Sequence, residues 1–258
     1  MISGVIPITG YEHMVVEGAN ALVAKSIASA VGDILKTETL YQYAARAPDA
    51  LRFEGRAPVY AIPLGLSQER VVVRHAVRGG LVGKLVRDHF VAPTRAAREL
   101  AAAFRLKLGG VSTPEVLAVV TYPAGPMLRR ADVATRYIED GADLAGIFGD
   151  ARNDEQRRPI LDAVAQLLTS LTGAGAQHPD LNLKNILVTS TEQGYVAHVL
   201  DVDRVNFHVP GDPMLARANL DRLVRSLRKW RELTGTRRGS VSDGDISYLS
   251  LAAAASPA

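Results

Sequence analysis

Cysteine is absent from the 258-residue sequence, so neither disulfides nor thiolate chemistry can serve this protein. Aromatic side chains are scarce at 5%, which leaves aliphatic residues to build most of the core. No stretch approaches the ~18 uninterrupted apolar residues of a membrane-spanning helix, so any membrane contact is expected to be peripheral. Met1 to Gly10 has no basic segment followed by a long apolar run, and a signal peptide is not expected. Charge is close to balance, at +3. That mild excess suits an anionic partner such as nucleotide phosphates, an acidic glycolipid or an anionic membrane face. It is too weak to indicate nucleic acid.

What is present is the profile of a soluble globular chain, with 47% hydrophobic and 22% charged residues. The length fits one large domain or a domain of two lobes. Val15 to Leu40 mixes small and apolar residues with few breakers and predicts some helix within it. Phe53 to Gly65 reads as strand, turn and strand around Val59-Tyr60-Ala61-Ile62. Val71-Val72-Val73 marks a strand that ends at Gly79-Gly80. A helix is predicted over Thr94 to Leu108, followed by strands at Val116–Thr121 and Asp132–Ile138. Asp154 to Leu171 is an amphipathic helix buried through Ile160, Val164, Leu167 and Leu171. Ile186–Thr189 and Tyr195–Leu200 read as a hairpin. Asn219 to Leu233 is a helix with Leu220, Leu223, Leu227 and Trp230 inward. The expected class is therefore α+β. A small β-rich N-lobe spans residues 1–138 and includes an N-terminal extension. A helical C-lobe spans 139–235, and a loosely ordered Gly/Ser/Ala-rich tail covers 236–258.

The sharpest segment is His178-Pro179-Asp180-Leu181-Asn182-Leu183-Lys184-Asn185-Ile186-Leu187, between a long helix and a hairpin. It resembles the kinase catalytic loop, in which an Asp precedes an Asn by five residues. The Asp orients the acceptor hydroxyl and the Asn amide oxygen reaches a metal ion, which makes Asp180 and Asn185 candidates for those roles. The apolar run Val196 to Leu200 then ends in Asp201-Val202-Asp203, which resembles the metal-binding turn of kinases with Asp201 as ligand. Oxygen ligands from Asn185 and Asp201 suit Mg²⁺. Either segment alone reads equally well as a turn or a strand-end cap. Both in order favour the kinase-like reading.

The whole arrangement resembles the bacterial lipopolysaccharide core kinases, and within them the 3-deoxy-D-manno-octulosonic acid (Kdo) kinases. The residues that carry this are Val73-Arg74-His75, Arg78-Gly79-Gly80-Leu81-Val82, Glu99, Asp180-Leu181-Asn182, Asn185-Ile186-Leu187, Asp201-Val202-Asp203-Arg204 and Asn219-Leu220 through Ser226-Leu227-Arg228-Lys229. The resemblance implies a two-lobed protein-kinase-like fold, ATP and Mg²⁺ as cofactors, and transfer to an inner-core sugar on a lipid A precursor. It also implies a cytoplasmic protein, peripheral to the inner membrane. Asn182 joins Asp180 in the implied catalytic set. Tyr137 and Ile138 fall at the implied nucleotide cleft near Arg136 to Gly141. Gly55 is the one glycine of the loop expected to cover the phosphates. Arg74 stands where kinases carry a phosphate-binding Lys, with Lys84 as competitor. Glu99, the one acidic residue between Thr94 and Leu108, is its expected partner.

Two basic clusters remain. Arg78, Lys84 and Arg87, with His75 and His89 nearby, could receive an anionic glycolipid. Arg222, Arg225 and Lys229 read as a solvated helix face. Rival readings are a small-molecule kinase of the aminoglycoside or choline type, which would need an acidic acceptor pocket, and a pseudokinase scaffold without turnover. His13, His198 and His208 have no evident partners in the sequence.

Overall fold

The computed structural model describes residues 9–54, 57–65, 68–77, 90–91, 95–150, 155–235 and 240–255. These fall into two compact units. The first takes the chain to Leu100 together with Glu115–Tyr137. The second takes Ala101–Pro114 and the chain from Ile138 onward.

In chain order the first unit holds β1 (Tyr11–Val16), β2 (Ala19–Ala24), helices α1 (Ala28–Leu35) and α2 (Leu40–Arg46), β3 (Leu51–Phe53), β4 (Val59–Leu64), β5 (Glu69–His75) and β6 (Phe90–Val91). The start of α3 (Arg95–Leu108), β7 (Val116–Pro123) and β8 (Leu128–Arg136) complete it. One antiparallel sheet runs in the order β1-β2-β7-β8-β5-β4-β3, with β6 paired to β8. Val23, Val31, Leu40, Ile62, Val73 and Leu117 are among its buried core.

The helix expected within Val15 to Leu40 is found at Ala28–Leu35, while the residues before it form a hairpin. Glu17 and Gly18 have φ of 48° and 78°, so both central residues of the turn are left-handed. That is the two-residue turn whose twist matches a right-handed hairpin, and it sets Val16 opposite Ala19. Ala19, Ala21 and Val23 alternate into the core from β2. Helix starts only at Ala28, and α2 is launched by a Thr39–Gln42 capping box.

A buried polar knot fastens α2 to the sheet. Asp132 on β8 is 0% exposed. Its Oδ2 accepts from the Tyr41 backbone N–H at 3.0 Å and the Tyr122 hydroxyl at 2.9 Å, and its Oδ1 accepts from His75 Nδ1 at 2.6 Å. The Tyr122 oxygen in turn accepts from the Leu40 N–H at 2.9 Å. Burial first, and the Asp132 charge second, push the Tyr122 phenol well above its ordinary value, so it serves as a fixed donor.

The second unit carries β9 (Ala142–Asp143), α4 (Leu144–Gly149), α5 (Arg157–Gly173), β10 (Ala176–Gln177), β11 (Ile186–Thr191), β12 (Gly194–Val199), β13 (Asn206–Phe207), α6 (Pro213–Thr234) and α7 (Asp243–Ala255). The predicted buried residues of α5 are all buried, and the helix packs on β12, α6 and α7. Ala101–Pro114 cluster here rather than with the N-lobe because Ser112 and Thr113 bond to β12. The Val199 N–H donates to the Ser112 carbonyl at 2.9 Å, and Thr113 Oγ1 donates to the Val199 carbonyl at 2.8 Å.

The tail expected to be loosely ordered forms α7 instead. Ser242 and Asp245 cap its start reciprocally, at 2.7 and 3.0 Å. Arg157 pairs with Asp245 at 2.9 Å, and Val241, Ile246 and Leu249 are buried. In α6 the burial falls on Leu215, Asn219, Leu223 and Leu227, while Leu220 and Trp230 are half-buried.

Replacing Asp132 by Ala strands one buried and two partly buried donors and should lower stability by about 3–5 kcal/mol. Asp132→Asn, which keeps an acceptor oxygen, should lose less. Urea unfolding checks this, and a loss for Asp132→Ala below about 1 kcal/mol would refute the load assigned to the knot.

Candidate active site

At the end of α5 the chain turns sharply at Gly175. Its φ is +68°, and a Cβ there would sit 2.4 Å from the His208 carbonyl oxygen, so only glycine fits. The turn feeds β10, which pairs with β13 and leads into His178-Pro179-Asp180. His178 is 1% exposed. The Leu200 carbonyl, 3.0 Å from Nε2, can only accept, so Nε2 carries the proton. Nδ1 is then the acceptor for the Asp180 N–H at 3.2 Å. Burial lowers the His178 pKa below its ordinary value. The neutral ring thus ties the Asp180 backbone to the residue just before Asp201.

Asn182 and Asn185 close the loop around the Asp180 carbonyl. Their Nδ2 groups donate to it at 2.9 and 2.8 Å. For Asn185 this leaves Oδ1 as the unused amide atom. The Leu200 N–H donates to the Asn185 carbonyl at 2.9 Å, which brings the Asp201 turn beside Asn185. Asp201 is exposed and left-handed at φ 56°, and its carboxylate accepts no hydrogen bond among the described residues. One amide oxygen and one open carboxylate form a hard donor set that fits a Mg²⁺ ion completing its shell with water and phosphate. No group of three or more His or acidic side chains that could cage a metal occurs among the described residues.

One face of α6 holds this loop. Asn219 Oδ1 accepts from the His178 N–H at 3.0 Å, and Asn219 Nδ2 donates to the Ala176 carbonyl at 2.8 Å. Arg222 donates through Nε to the Pro179 carbonyl at 3.0 Å and through Nη2 to Asp180 Oδ1 at 2.9 Å. Ser226 Oγ accepts from the Leu183 N–H at 3.3 Å. Positions 219, 222 and 226 share one helix face. The solvated-face reading of Arg222 is thereby corrected, because its guanidinium is bound to the loop. Asp180 Oδ2 has no hydrogen bond to any described residue.

In the first unit Arg74 on β5 and Glu99 on α3 form the expected ion pair, with Glu99 5% exposed. Glu99 is therefore not a solvated helix carboxylate. Tyr137 is held by its N–H to the Arg70 carbonyl at 3.0 Å and stacks on Phe53, with centroids 6.2 Å apart. Ile138, half-buried, opens the second unit. Gly55, Lys84 and the Arg78–Arg87 cluster lie outside the described residues. The histidines without evident partners acquire them: His13 with Asn20, His198 with Ser112 and Thr189, and His208 with Gln177.

This combination of an antiparallel sheet bearing an Arg–Glu pair and a helical unit bearing an Asp–Asn–Asp loop is that of a protein-kinase-like phosphotransferase. A solved structure described as "WaaP in complex with acyl carrier protein" shares the fold. It matches with a TM-score of 0.52 over 84% of this chain and 86% of that one, at 15% identity. The model of the lipopolysaccharide kinase (Kdo/WaaP) family matches residues 64–246, and the chain belongs to that family. The 3-deoxy-D-manno-octulosonic acid kinase of Vibrio parahaemolyticus is 30% identical over 183 residues, 68% of this chain and 71% of that protein. The protein of the same name from Photobacterium profundum is 32% identical over 163 residues, 62% of this chain and 65% of its own length. The one from Actinobacillus succinogenes is 32% identical over 182 residues, 69% and 72%. The matches therefore span about two thirds of the length of these relatives.

His178 and His198 are both held by burial below their ordinary value of 6.5. Unfolding releases them to take up protons, so the stability they contribute is complete above pH 6.5 and is lost as pH falls through their folded values. Urea midpoints should drop on acidification below that point. The slope should be shallower in His178→Asn. An equal slope in the variant would remove His178 from the account.

Proposed function

We propose that this chain is an ATP-dependent kinase that transfers the γ-phosphoryl group to a hydroxyl of Kdo on a lipopolysaccharide inner-core precursor. The observation that carries this reading is the Asp180 carboxylate. One oxygen is fixed by Arg222 and the other is open, on a loop joined through His178 to the Asp201 turn. The family and the names of its relatives supply the acceptor.

Asp180 Oδ2 takes the hydroxyl hydrogen bond and orients the attacking oxygen. As that oxygen bonds to the γ-phosphorus, the bridging bond to ADP breaks and the proton passes to Asp180. Asn185 Oδ1 and the Asp201 carboxylate are the ligands for Mg²⁺, which when bound neutralises phosphate charge. Asn182 keeps the loop closed on the Asp180 carbonyl. In the first unit Arg74, oriented by Glu99, addresses the ATP phosphates. A guanidinium is suited to pairing with a carboxylate and a phosphate together. Tyr137, Ile138 and, on the sequence alone, Gly55 are the further residues we assign to nucleotide binding. Among the described residues no helix is long and apolar enough to cross a membrane. We place the enzyme peripherally on the cytoplasmic face of the inner membrane, where its glycolipid acceptor is reached.

Labelled ATP supplied with Kdo-lipid A, aminoglycosides or choline tests the acceptor. Label should appear on Kdo-lipid A alone. Asp180→Ala should cut transfer about 10²- to 10⁴-fold while Mg-ATP still binds. Asp201→Ala should weaken Mg-ATP binding itself. Transfer only to the cationic acceptors would overturn the Kdo reading and leave the fold standing. Near-normal turnover in Asp180→Ala would overturn the catalytic assignment, and absence of all turnover in the parent enzyme would favour a pseudokinase.

A further inference from the structure

Beside the catalytic loop the second unit contains a cavity of about 360 Å³ whose wall includes His178, Pro179, Asp221, Arg222 and Arg225. The Arg222 that lines it is the same guanidinium that holds Asp180 Oδ1 and the Pro179 carbonyl. A molecule in this cavity is therefore one side chain away from the carboxylate assigned to the acceptor hydroxyl.

The charges on the wall are unequal. Two guanidinium groups face one carboxylate, and His178 is kept neutral by its buried hydrogen bonds. Asp221 has a cation on its own helix, Arg217, at 3.7 Å. Arg222 is committed to the loop. Arg225 is exposed and has no hydrogen bond or ion pair with any described residue. A second cavity of about 430 Å³ shares Asp221 and Arg225 with the first and continues past Val224, Arg228 and Ile246. Arg225 thus stands where a pocket beside the catalytic loop adjoins a second one, and both mix charged and apolar side chains. That mixed lining suits an amphiphilic anion.

Resting on the Kdo reading above, we propose that Arg225 binds the carboxylate of the acceptor's acid sugar in the pocket it shares with Arg222. Arg222 acts as a positioning residue for Asp180. A guanidinium offers a carboxylate two parallel hydrogen bonds, which fixes orientation as well as position. With the acid group on Arg225, the rest of the sugar occupies the part of the pocket lined by His178, Pro179 and Arg222, next to the loop that carries Asp180. The same two arginines repel the cationic acceptors of small-molecule kinases, so the pocket selects by exclusion too. The anionic acceptor was expected on Arg78, Lys84 and Arg87. Those residues lie outside the described ones, and the proposal adds a contact on the helix face first read as merely solvated.

The test uses the full chain with Kdo-lipid A in detergent micelles and with its carboxyl methyl ester. Binding is measured without ATP, and transfer is measured separately. Arg225→Gln should weaken acceptor binding and raise acceptor KM by about 10- to 100-fold, with ATP affinity measured as the control. Esterification should cost the parent enzyme a similar factor and cost Arg225→Gln little more. Arg225→Lys should recover part of the loss. Unchanged acceptor binding in Arg225→Gln overturns the subsite, as do ester and substitution losses that multiply. A parent enzyme that does not bind the glycolipid overturns it as well. A parent enzyme that binds in this carboxylate-dependent way without transferring phosphate supports the subsite while refuting the catalytic reading.

Discussion

Asn219 satisfies two backbone groups of the strand that runs into Asp180, and it does so from the buried face of a helix. A loop packed against a helical core must find partners for its N–H and C=O groups or lose the stability of burial. The amide of Asn219 bridges His178 and Ala176, and Ser226 takes the Leu183 N–H further along. With the backbone held at these points, Arg222 from the same face can reach a carboxylate whose position is already set. His178 then passes the constraint on to Leu200 and so to the turn at Asp201. Removing the helix contacts would leave each acidic residue in place in the sequence but free in space. For phosphoryl transfer, which depends on positioning more than on covalent chemistry, that would be a functional loss.

The first unit solves a related problem with ionic groups. Arg74 lies in the middle of a sheet between β4 and β8, and its charge is met by a nearly buried Glu99. Asp132, on β8, gathers donors from Tyr41, Tyr122 and His75. In both places a buried carboxylate is met by donors, one guanidinium at Glu99 and three groups at Asp132, and each has value as an orienting group as well as a stabilising one.

Much of this was legible in the sequence. The Asp180–Asn185 spacing and the Asp201 turn follow local rules, and Glu99 was forced as the only acidic residue of its helix. The helix expected somewhere in Val15 to Leu40 is α1, but the hairpin before it was not foreseen, because small apolar runs suit helix and strand alike. The Glu17-Gly18 turn was the available signal. The tail was misread from its composition, although Ser242, three residues before Asp245, with Ile246 and Leu249 beyond, is a capping pattern with an apolar face. Asp132 and Arg222 were missed for a different reason. Apart from Tyr122, ten residues from Asp132, their partners lie 42 to 91 residues away, and a charged residue at helical or strand spacing looks the same whether it meets solvent or a distant loop.

The claim that α6 sets the catalytic carboxylate is tested most directly by transfer rates at saturating acceptor for Arg222→Ala, Asp180→Ala and the double variant. If Arg222 acts through Asp180, the double variant should be no slower than Asp180→Ala alone, as for residues that work as a unit. Losses that multiply would show that Arg222 acts independently of Asp180 and would contradict the account.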